Sequence, residues 1–183
     1  NIASLIKYSE PAIEDNVDLI VWPESATSVN ILRGDPYNLN RIQSSLNDTK
    51  LISGIPYNSG FNLNRLVYNS VVMISSDSVS ELYHKIKLVP MAEYIPLSEY
   101  FPFLKKFSLG ILGNCTRGEE YTLFDIKDIK FAPMVCIEST FPSLNREFVK
   151  QGAEVLVYVV NDGWYENPPE PQQHAKQAIY RAI

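Results

Sequence analysis

The sequence predicts a layered α/β fold, because helical and extended patterns alternate along its 183 residues. Apolar residues recur at helical spacing over residues 2–14, which indicates an amphipathic helix. Short apolar runs at 18–22, 131–135 and 155–160 are typical of the central strands of a sheet. Further extended segments pair across short turn-forming clusters, which adds hairpins to the alternation.

Each element follows from its own local pattern of apolar, turn-forming and helix-ending residues. The predicted helices are residues 2–14, 38–47, 142–151 and 170–183. The predicted strands are residues 18–22, 51–55, 66–75, 79–84, 121–126, 129–136 and 154–160. Pro23 and Pro56 are expected to end the first two strands. The last strand is expected to be buried on both faces. Loops are expected at 57–65 and 166–171, which are rich in Gly, Asn and Pro.

Composition restricts the possible classes of function. Hydrophobic residues make up 45% of the chain and charged residues 20%, which is typical of a folded domain. The net charge is −5 and no basic stripe is visible, so nucleic acid is not an expected partner. Cys115 and Cys136 do not form a disulfide framework, and no Cys/His cluster has zinc spacing. The longest uninterrupted apolar run, 155–160, is far shorter than the roughly 20 residues of a membrane-spanning helix.

Three polar residues follow three of the predicted strands. Glu24 lies in VWPES, Lys85 in LYHKIKLVP and Cys136 in APMVCIES. Reactive groups gather at the carboxyl ends of strands in open α/β sheets, so these side chains are predicted to converge in one cleft. A carboxylate there can take the thiol proton as sulfur attacks a carbonyl carbon. An ammonium group and the backbone N–H after the cysteine can stabilise the oxyanion, and the product is a thioester.

Each of these residues also has a purely structural interpretation. A cysteine after a hydrophobic strand is more often a core residue than a nucleophile. A glutamate after a proline usually lies in a solvated loop, and a lysine at a strand end usually faces water. Spacing alone therefore leaves both interpretations of Glu24, Lys85 and Cys136 open.

The three segments together resemble the nitrilase, or carbon–nitrogen hydrolase, superfamily, whose Glu-Lys-Cys triad follows this order along the chain. The resemblance covers nearly all of the sequence. More specifically, HKIKLVPMAEYIP (84–96) looks like the lysine segment of the apolipoprotein N-acyltransferase family, which runs into LVPFGEY. VCIES (135–139) is similar to that family's Cys-Tyr-Glu, and the stretch from NDGWY to YRAI (161–183) is similar to its NDAWF…QH…RA run.

The resemblance implies a role for each matching residue. Glu24 would be the general base, Cys136 the nucleophile, and Lys85, rather than Lys87, the lysine that helps to hold the oxyanion. Glu93 falls at the family's interval after Lys85 and would orient it and assist proton transfer.

The remaining implied residues surround this triad. Glu138 would support the cleft and Ile137 would offer its backbone N–H, although Ile137 replaces an aromatic residue of the family. Asn161, Trp164 and Tyr165 would line the mouth of the cleft and bind substrate. Neither a metal nor a cofactor is implied. His84, His174 and Cys115 are expected to be bystanders: a strand residue, a helix-packing residue and a residue of a polar loop.

The resemblance also implies the architecture and the setting. The fold would be a nitrilase-like α-β-β-α sandwich, with residues 1–183 as one catalytic domain. The chain lacks an initiator Met and stops within a helical pattern, so the domain is expected to be truncated at both ends and incomplete at its C-terminal end. It would belong to a longer chain at the bacterial inner membrane, on the periplasmic side.

The implied activity is N-acyl transfer in lipoprotein maturation. An acyl chain would pass from a phospholipid, through a cysteine thioester, to the amino group of a diacylglyceryl-cysteine apolipoprotein. One alternative is a soluble nitrilase-type amidase or carbamoylase, in which water attacks the same thioester. Another is a non-catalytic domain of the same fold.

A separate hypothesis concerns residues 89–112, which are rich in aromatic side chains. They are expected to form either an amphipathic arm at the membrane surface or an ordinary helix packed on its apolar face.

Overall fold

The computed structural model describes residues 2–27, 30–60, 66–98, 100–101, 103, 114–163 and 169–181. The helices are α1 (Ile2–Glu14), α2 (Pro36–Ser45), α3 (Pro142–Lys150) and α4 (Glu170–Ile179). The strands are β1 (Leu19–Val21), β2 (Lys50–Ser59), β3 (Leu66–Ile74), β4 (Tyr83–His84), β5 (Phe124–Ile126), β6 (Ile129–Val135) and β7 (Val155–Val159). A 3₁₀ helix, Cys136–Thr140, follows β6 directly.

The first sheet has the order β1-β2-β3-β4. β1 pairs with β2 in parallel, with Ile20 opposite Leu51, and the β2–β3 and β3–β4 pairs are antiparallel. In the long β2–β3 ladder Gly54 lies opposite Val71. The carboxyl end of β1, Val21, lies opposite Ile52, near the start of β2.

The second sheet has the order β5-β6-β7, with β6 in the centre. β5 and β6 form an antiparallel hairpin, and β6 pairs with β7 in parallel. The stretch from Ala132 to Val135 is buried on both faces, as expected of a central strand.

Two hydrophobic cores hold the layers together. One lies between the first sheet and helices α1 and α2, and it includes Trp22, Ile42 and Leu51. The other lies between the two sheets and extends to α3, where Phe148 packs edge-on against Tyr83. Helix α4 lies against the 3₁₀ helix after β6. The layers thus run helix, sheet, sheet, helix, which agrees with the predicted α/β class.

The predicted position or extent of several strands is wrong. In the sheets formed by the described residues, β1 and β7 lie at the edge rather than in the centre, and β7 is largely half-buried rather than covered on both faces. β2 continues through Pro56 to Ser59, because the long β3 offers it an unbroken ladder of partners. The strand predicted at 79–84 is reduced to Tyr83–His84 and an isolated bridge at Val79.

The aromatic segment 89–112 is described only in part. Its described residues form turns around the Pro90–Tyr94 bridge, and residues 99, 102 and 104–112 lie outside the described structure. In the described ranges, no helix has the length and apolar character needed to cross a bilayer.

Candidate active site

Glu24 is held at the end of β1 by the backbone of β2. The N–H of Trp22 donates to the carbonyl of Ile52 at 2.8 Å, and the N–H of Ala26 donates to that of Gly54 at 2.9 Å. A Cβ at Gly54 would lie only 2.6 Å from the Cα of Glu24. The turn that carries Glu24 therefore fits against β2 because position 54 has no side chain.

Lys85 follows β4 and points into the protein. Its N–H donates to the carbonyl of Asn69 at 2.8 Å, and its own carbonyl accepts from the N–H of Gly118 at 2.9 Å. The side chain is 1% exposed. A lysine is almost never this buried unless it is paired with an anion.

Two carboxylates supply that pairing. Lys85 Nζ donates to Glu93 Oε1 at 2.8 Å and lies 3.6 Å from Glu24 Oε1. Burial by itself lowers the pKa of Lys85, but the charges of Glu24 and Glu93 outweigh it and raise that pKa above its ordinary value. We call these residues the carboxylate–amine cluster. Its lysine is an ammonium ion at neutral pH.

Glu93 is fixed within the turn that carries it. The N–H of Val89 donates to Glu93 Oε2 at 2.8 Å, while the N–H of Glu93 donates to the carbonyl of Val89 at 2.9 Å. One carboxylate oxygen is thus held by backbone and the other faces Lys85.

Asn69, on β3, completes the cluster and was missed in the sequence analysis. Its Nδ2 donates to Glu24 Oε1 at 2.7 Å and to Glu93 Oε1 at 2.8 Å. The side chain is 1% exposed. The available signal was an asparagine inside an otherwise apolar strand, where this residue type is depleted.

Cys136 lies where β6 passes into the 3₁₀ helix, with a φ of +50°. A left-handed conformation is unusual for a residue with a side chain and is common at functional turns. Burial raises the pKa of the thiol to about 12, and the charge of Glu24 adds to this, whereas Lys85 and the backbone N–H of Ile137 lower it. The thiol is therefore protonated at neutral pH, in the electrostatic field of Glu24 and Lys85.

Glu138 is a completely buried carboxylate two residues after Cys136. It accepts from the hydroxyl of Tyr83 at 2.8 Å and from the N–H groups of Ile86 at 2.8 Å, Lys87 at 2.9 Å and Val135 at 2.8 Å. Burial raises its pKa above the ordinary value although these donors oppose the shift. Glu138 therefore ties the segment after Lys85 to the strand end that carries Cys136.

The proposed mouth of the cleft is described only in part. Asn161 follows β7 and is half-buried, and its Oδ1 accepts from the N–H of Gly163 at 3.2 Å. The charge of the neighbouring Asp162 adds to the rise in the pKa of the Cys136 thiol. The other two predicted mouth residues, Trp164 and Tyr165, lie outside the described residues.

The alternative lysine and the two histidines make other contacts. Lys87 Nζ lies 5.5 Å from the ring centroid of Phe141, so Lys85 is the lysine of the cluster. His84 stacks on Tyr68 with ring centroids 4.1 Å apart. His174 pairs with Asp162 at 2.9 Å, rather than only packing its helix.

Cys115 differs from the expected polar-loop residue. It is buried, and its N–H donates to the carbonyl of Glu93 at 2.6 Å. Burial raises the pKa of its thiol to about 11, and Glu93 acts in the same direction. The loop packs inward here, where its backbone N–H at Cys115 donates to the carbonyl of Glu93.

Comparisons with known proteins show the family of this chain. The family model described as carbon–nitrogen hydrolase matches residues 1–183. An apolipoprotein N-acyltransferase of Geobacter metallireducens is 33% identical over 171 residues, which cover 91% of this chain and 32% of that protein. One of Borreliella burgdorferi is 30% identical over 195 residues, which cover 100% of this chain and 37% of that protein. The chain thus spans about a third of the length of these curated relatives.

Solved structures show the same fold at lower sequence identity. A carbon–nitrogen hydrolase from Helicobacter pylori has a TM-score of 0.70 and 18% identity, and the match covers 100% of this chain and 63% of that one. An amidase of the nitrilase superfamily from Nesterenkonia has a TM-score of 0.70 and 16% identity, with 100% and 65% covered. The match along the whole sequence and the shared fold lead to one conclusion: this chain belongs to the carbon–nitrogen hydrolase family.

Proposed function

We propose that this chain is the catalytic domain of a lipoprotein N-acyltransferase. The acyl donor is a phospholipid and the acceptor is the amino group of a diacylglyceryl-cysteine apolipoprotein, at the periplasmic face of the bacterial inner membrane. The names of the relatives that are 30–33% identical support this choice over a water-dependent amidase.

The observation that carries the proposal is the state of the three central side chains. Lys85 is a buried ammonium ion between two carboxylates, and Cys136 is a protonated thiol in the field of Glu24. A thiol with a pKa of about 12 is a weak nucleophile until a base takes its proton. Glu24 is that base, and the positive charge of Lys85 favours the oxyanion that forms.

The first half-reaction makes the thioester. Sγ of Cys136 bonds to the ester carbonyl carbon of the phospholipid as its proton passes to Glu24. The carbonyl oxygen becomes an oxyanion beside Lys85 and the backbone N–H of Ile137. The C–O bond then breaks, and the departing lysophospholipid oxygen takes the proton from Glu24.

The second half-reaction returns the enzyme to its starting state. The acceptor amine attacks the thioester carbon, and its proton passes to Glu24. The C–S bond then breaks, the amide product leaves, and the thiol of Cys136 regains the proton from Glu24. Each half-reaction is a proton exchange between Glu24 and the group that attacks or leaves.

The test is made on the full-length protein with phospholipid vesicles and a diacylated lipopeptide. Mass spectrometry should detect an acyl group on Cys136 when the acceptor is omitted, and the lipopeptide should discharge it. Cys136→Ala should abolish transfer and Cys136→Ser should nearly do so. Cys115→Ala is the matched control, because it removes the other buried thiol and should keep transfer at the wild-type rate.

Two outcomes would contradict the proposal. Undiminished transfer by Cys136→Ala would show that Cys136 is not the nucleophile. Loss of the acyl group to water at the same rate with and without lipopeptide would instead favour the amidase alternative.

A further inference from the structure

We propose that Asn69 is a positioning residue that holds the carboxylates of Glu24 and Glu93 together in their ionised form and aims Glu24 at Cys136. The inference rests on the proposed function of the site, because it assigns to Glu24 the role of base. Asn69 itself does not touch the reacting atoms; it acts through the two carboxylates.

The first support is the pair of hydrogen bonds that the side-chain amide of Asn69 donates. A side-chain amide nitrogen carries two N–H bonds, and here both are directed at carboxylate oxygens, 2.7 Å away on Glu24 and 2.8 Å away on Glu93. The two oxygens are therefore no further apart than the sum of these two distances. Like charges so close disfavour one another's ionisation unless donors and a cation compensate.

The second support is the unpaired oxygen of the same side chain. Asn69 Oδ1 is buried and accepts no hydrogen bond from any residue in the described ranges. Leaving a buried acceptor unpaired is unfavourable, and such atoms often mark functional sites. Rotating the amide would bring this oxygen against two carboxylates. The observed orientation therefore is the one that lets the amide nitrogen donate to both of them.

The third support is the position of Asn69 within the backbone of the site. Its carbonyl accepts from the N–H of Lys85 at 2.8 Å, so one residue fixes the cluster through both backbone and side chain. Both contacts that described residues make to the Glu24 carboxylate, from Asn69 and from Lys85, fall on Oε1. In the proposed mechanism, this leaves Oε2 as the oxygen that receives the thiol proton.

Other charged and titratable groups act on the same cleft. Among the described residues these are Lys85, Asp162 from the loop after β7, and the thiols of Cys115 and Cys136. Asn69 is the neutral donor among them.

The test measures alkylation of Cys136 by iodoacetamide as a function of pH, in the full-length protein without lipid. The sulfur–carbon bond forms, iodide leaves, and the thiol proton passes to Glu24, so the rate reports the base and needs no acyl donor. Asn69→Asp keeps the size of the side chain but replaces both donors with a third carboxyl. We expect a rate about 100-fold lower at neutral pH, comparable with misplacing a catalytic group by about 1 Å.

The acid limb of the profile is the pH range in which the alkylation rate falls as pH is lowered. Its position distinguishes a loss of positioning from general damage to the fold. In Asn69→Asp and Asn69→Ala the rate should begin to fall at a higher pH than in the wild type, because uncompensated like charges disfavour ionised carboxylates. Asn145→Ala is the matched control: Asn145 is buried, and its Nδ2 donates to the carbonyls of Glu138 and Phe141. It should lower the melting temperature and leave the acid limb in place.

A rate reduced by the same factor at every pH in both Asn69 variants would overturn the inference. Should both variants fail to fold, Glu93→Gln in the wild-type background decides. Removing the charge of Glu93 leaves Glu24 as the one anion to which Asn69 donates, so the acid limb should move to lower pH. An acid limb that does not move would overturn the inference. Since alkylation needs no phospholipid, failure of acyl transfer would refute the proposed function without affecting this result.

Discussion

At the scale of single residues, Glu138 combines an ionisable side chain with complete burial. It is an ionisable side chain with no exposed surface, and the donors around it come from three backbone N–H groups and one hydroxyl. Two of those N–H groups follow Lys85 and one precedes Cys136. Glu138 thereby links the segment that follows Lys85 to the strand end that precedes Cys136.

Glu138→Gln should lower the free energy of unfolding by about 1–3 kcal/mol, the range for leaving buried hydrogen-bonding groups unmatched. A glutamine amide has one oxygen and one NH₂ group. The NH₂ would have to face a backbone N–H, either that of Val135 or those of Ile86 and Lys87. Chemical denaturation measures the change. Glu147→Gln, on the surface of α3, is the control and should change stability by less than about 0.5 kcal/mol. Equal losses in the two variants would contradict this role of Glu138.

The pH dependence of stability should carry the signature of this carboxyl. Burial raises its folded-state pKa above the ordinary value near 4.5, so between these two values the folded protein binds more protons than the unfolded chain. The free energy of unfolding therefore decreases as pH rises through that window. The difference between wild type and Glu138→Gln should show this slope, because the variant lacks the titrating group.

At the scale of elements, two glycines allow backbones to approach where the reactive side chains begin. Gly54 on β2 faces the turn of Glu24, with a notional Cβ 2.6 Å from the Glu24 Cα. Gly118 faces the end of β4, with a notional Cβ 2.6 Å from the carbonyl carbon of His84, the residue before Lys85. The base and the lysine are thus each seated against a position without a side chain.

Gly54→Ala should displace the Glu24 turn, because the obstructing atoms are backbone and cannot rotate away. We expect acyl-enzyme formation to fall about 100-fold, the effect of moving a catalytic group by about 1 Å. Overpacking should also cost about 1–3 kcal/mol of stability. Gly34→Ala is the control, since its Cβ would lie 3.3 Å from the carbonyl oxygen of Asn30, a contact that a shift of a few tenths of an ångström relieves. A folded Gly54→Ala protein with wild-type rates would contradict the argument.

At the scale of the whole molecule, the sequence indicated where polar side chains follow strands, but not the contacts that hold those side chains. The strand ends that carry Glu24, Lys85 and Cys136 could be predicted, because apolar runs followed by polar residues are local patterns. Asn69 could not be assigned, because its role depends on which face of β3 meets the second sheet. The edge positions of β1 and β7 were also missed, since strand order is set by pairing that composition does not encode.

The exposed aromatic surface next to the site was predicted only as one of two alternatives. Phe101 is 50% exposed and Phe103 is 61% exposed, with ring centroids 6.1 Å apart. Leu97 and Tyr100 are also exposed on the same segment, which begins near Glu93. The described aromatic side chains of this segment therefore lie outside both hydrophobic cores.

Replacing Phe101 and Phe103 with Ser should weaken use of phospholipid in a bilayer. A buried Phe side chain contributes about 1.5–3 kcal/mol, so losing two interfacial contacts should raise KM for vesicle phospholipid about tenfold or more. Transfer from a water-soluble short-chain ester should be unchanged, because the carboxylate–amine cluster is intact. Tyr8→Ser with Tyr37→Ser removes two exposed aromatics from α1 and α2 and is the matched control. If this control raised KM equally, or the Phe variant left it unchanged, the segment would have no specific role in contacting lipid.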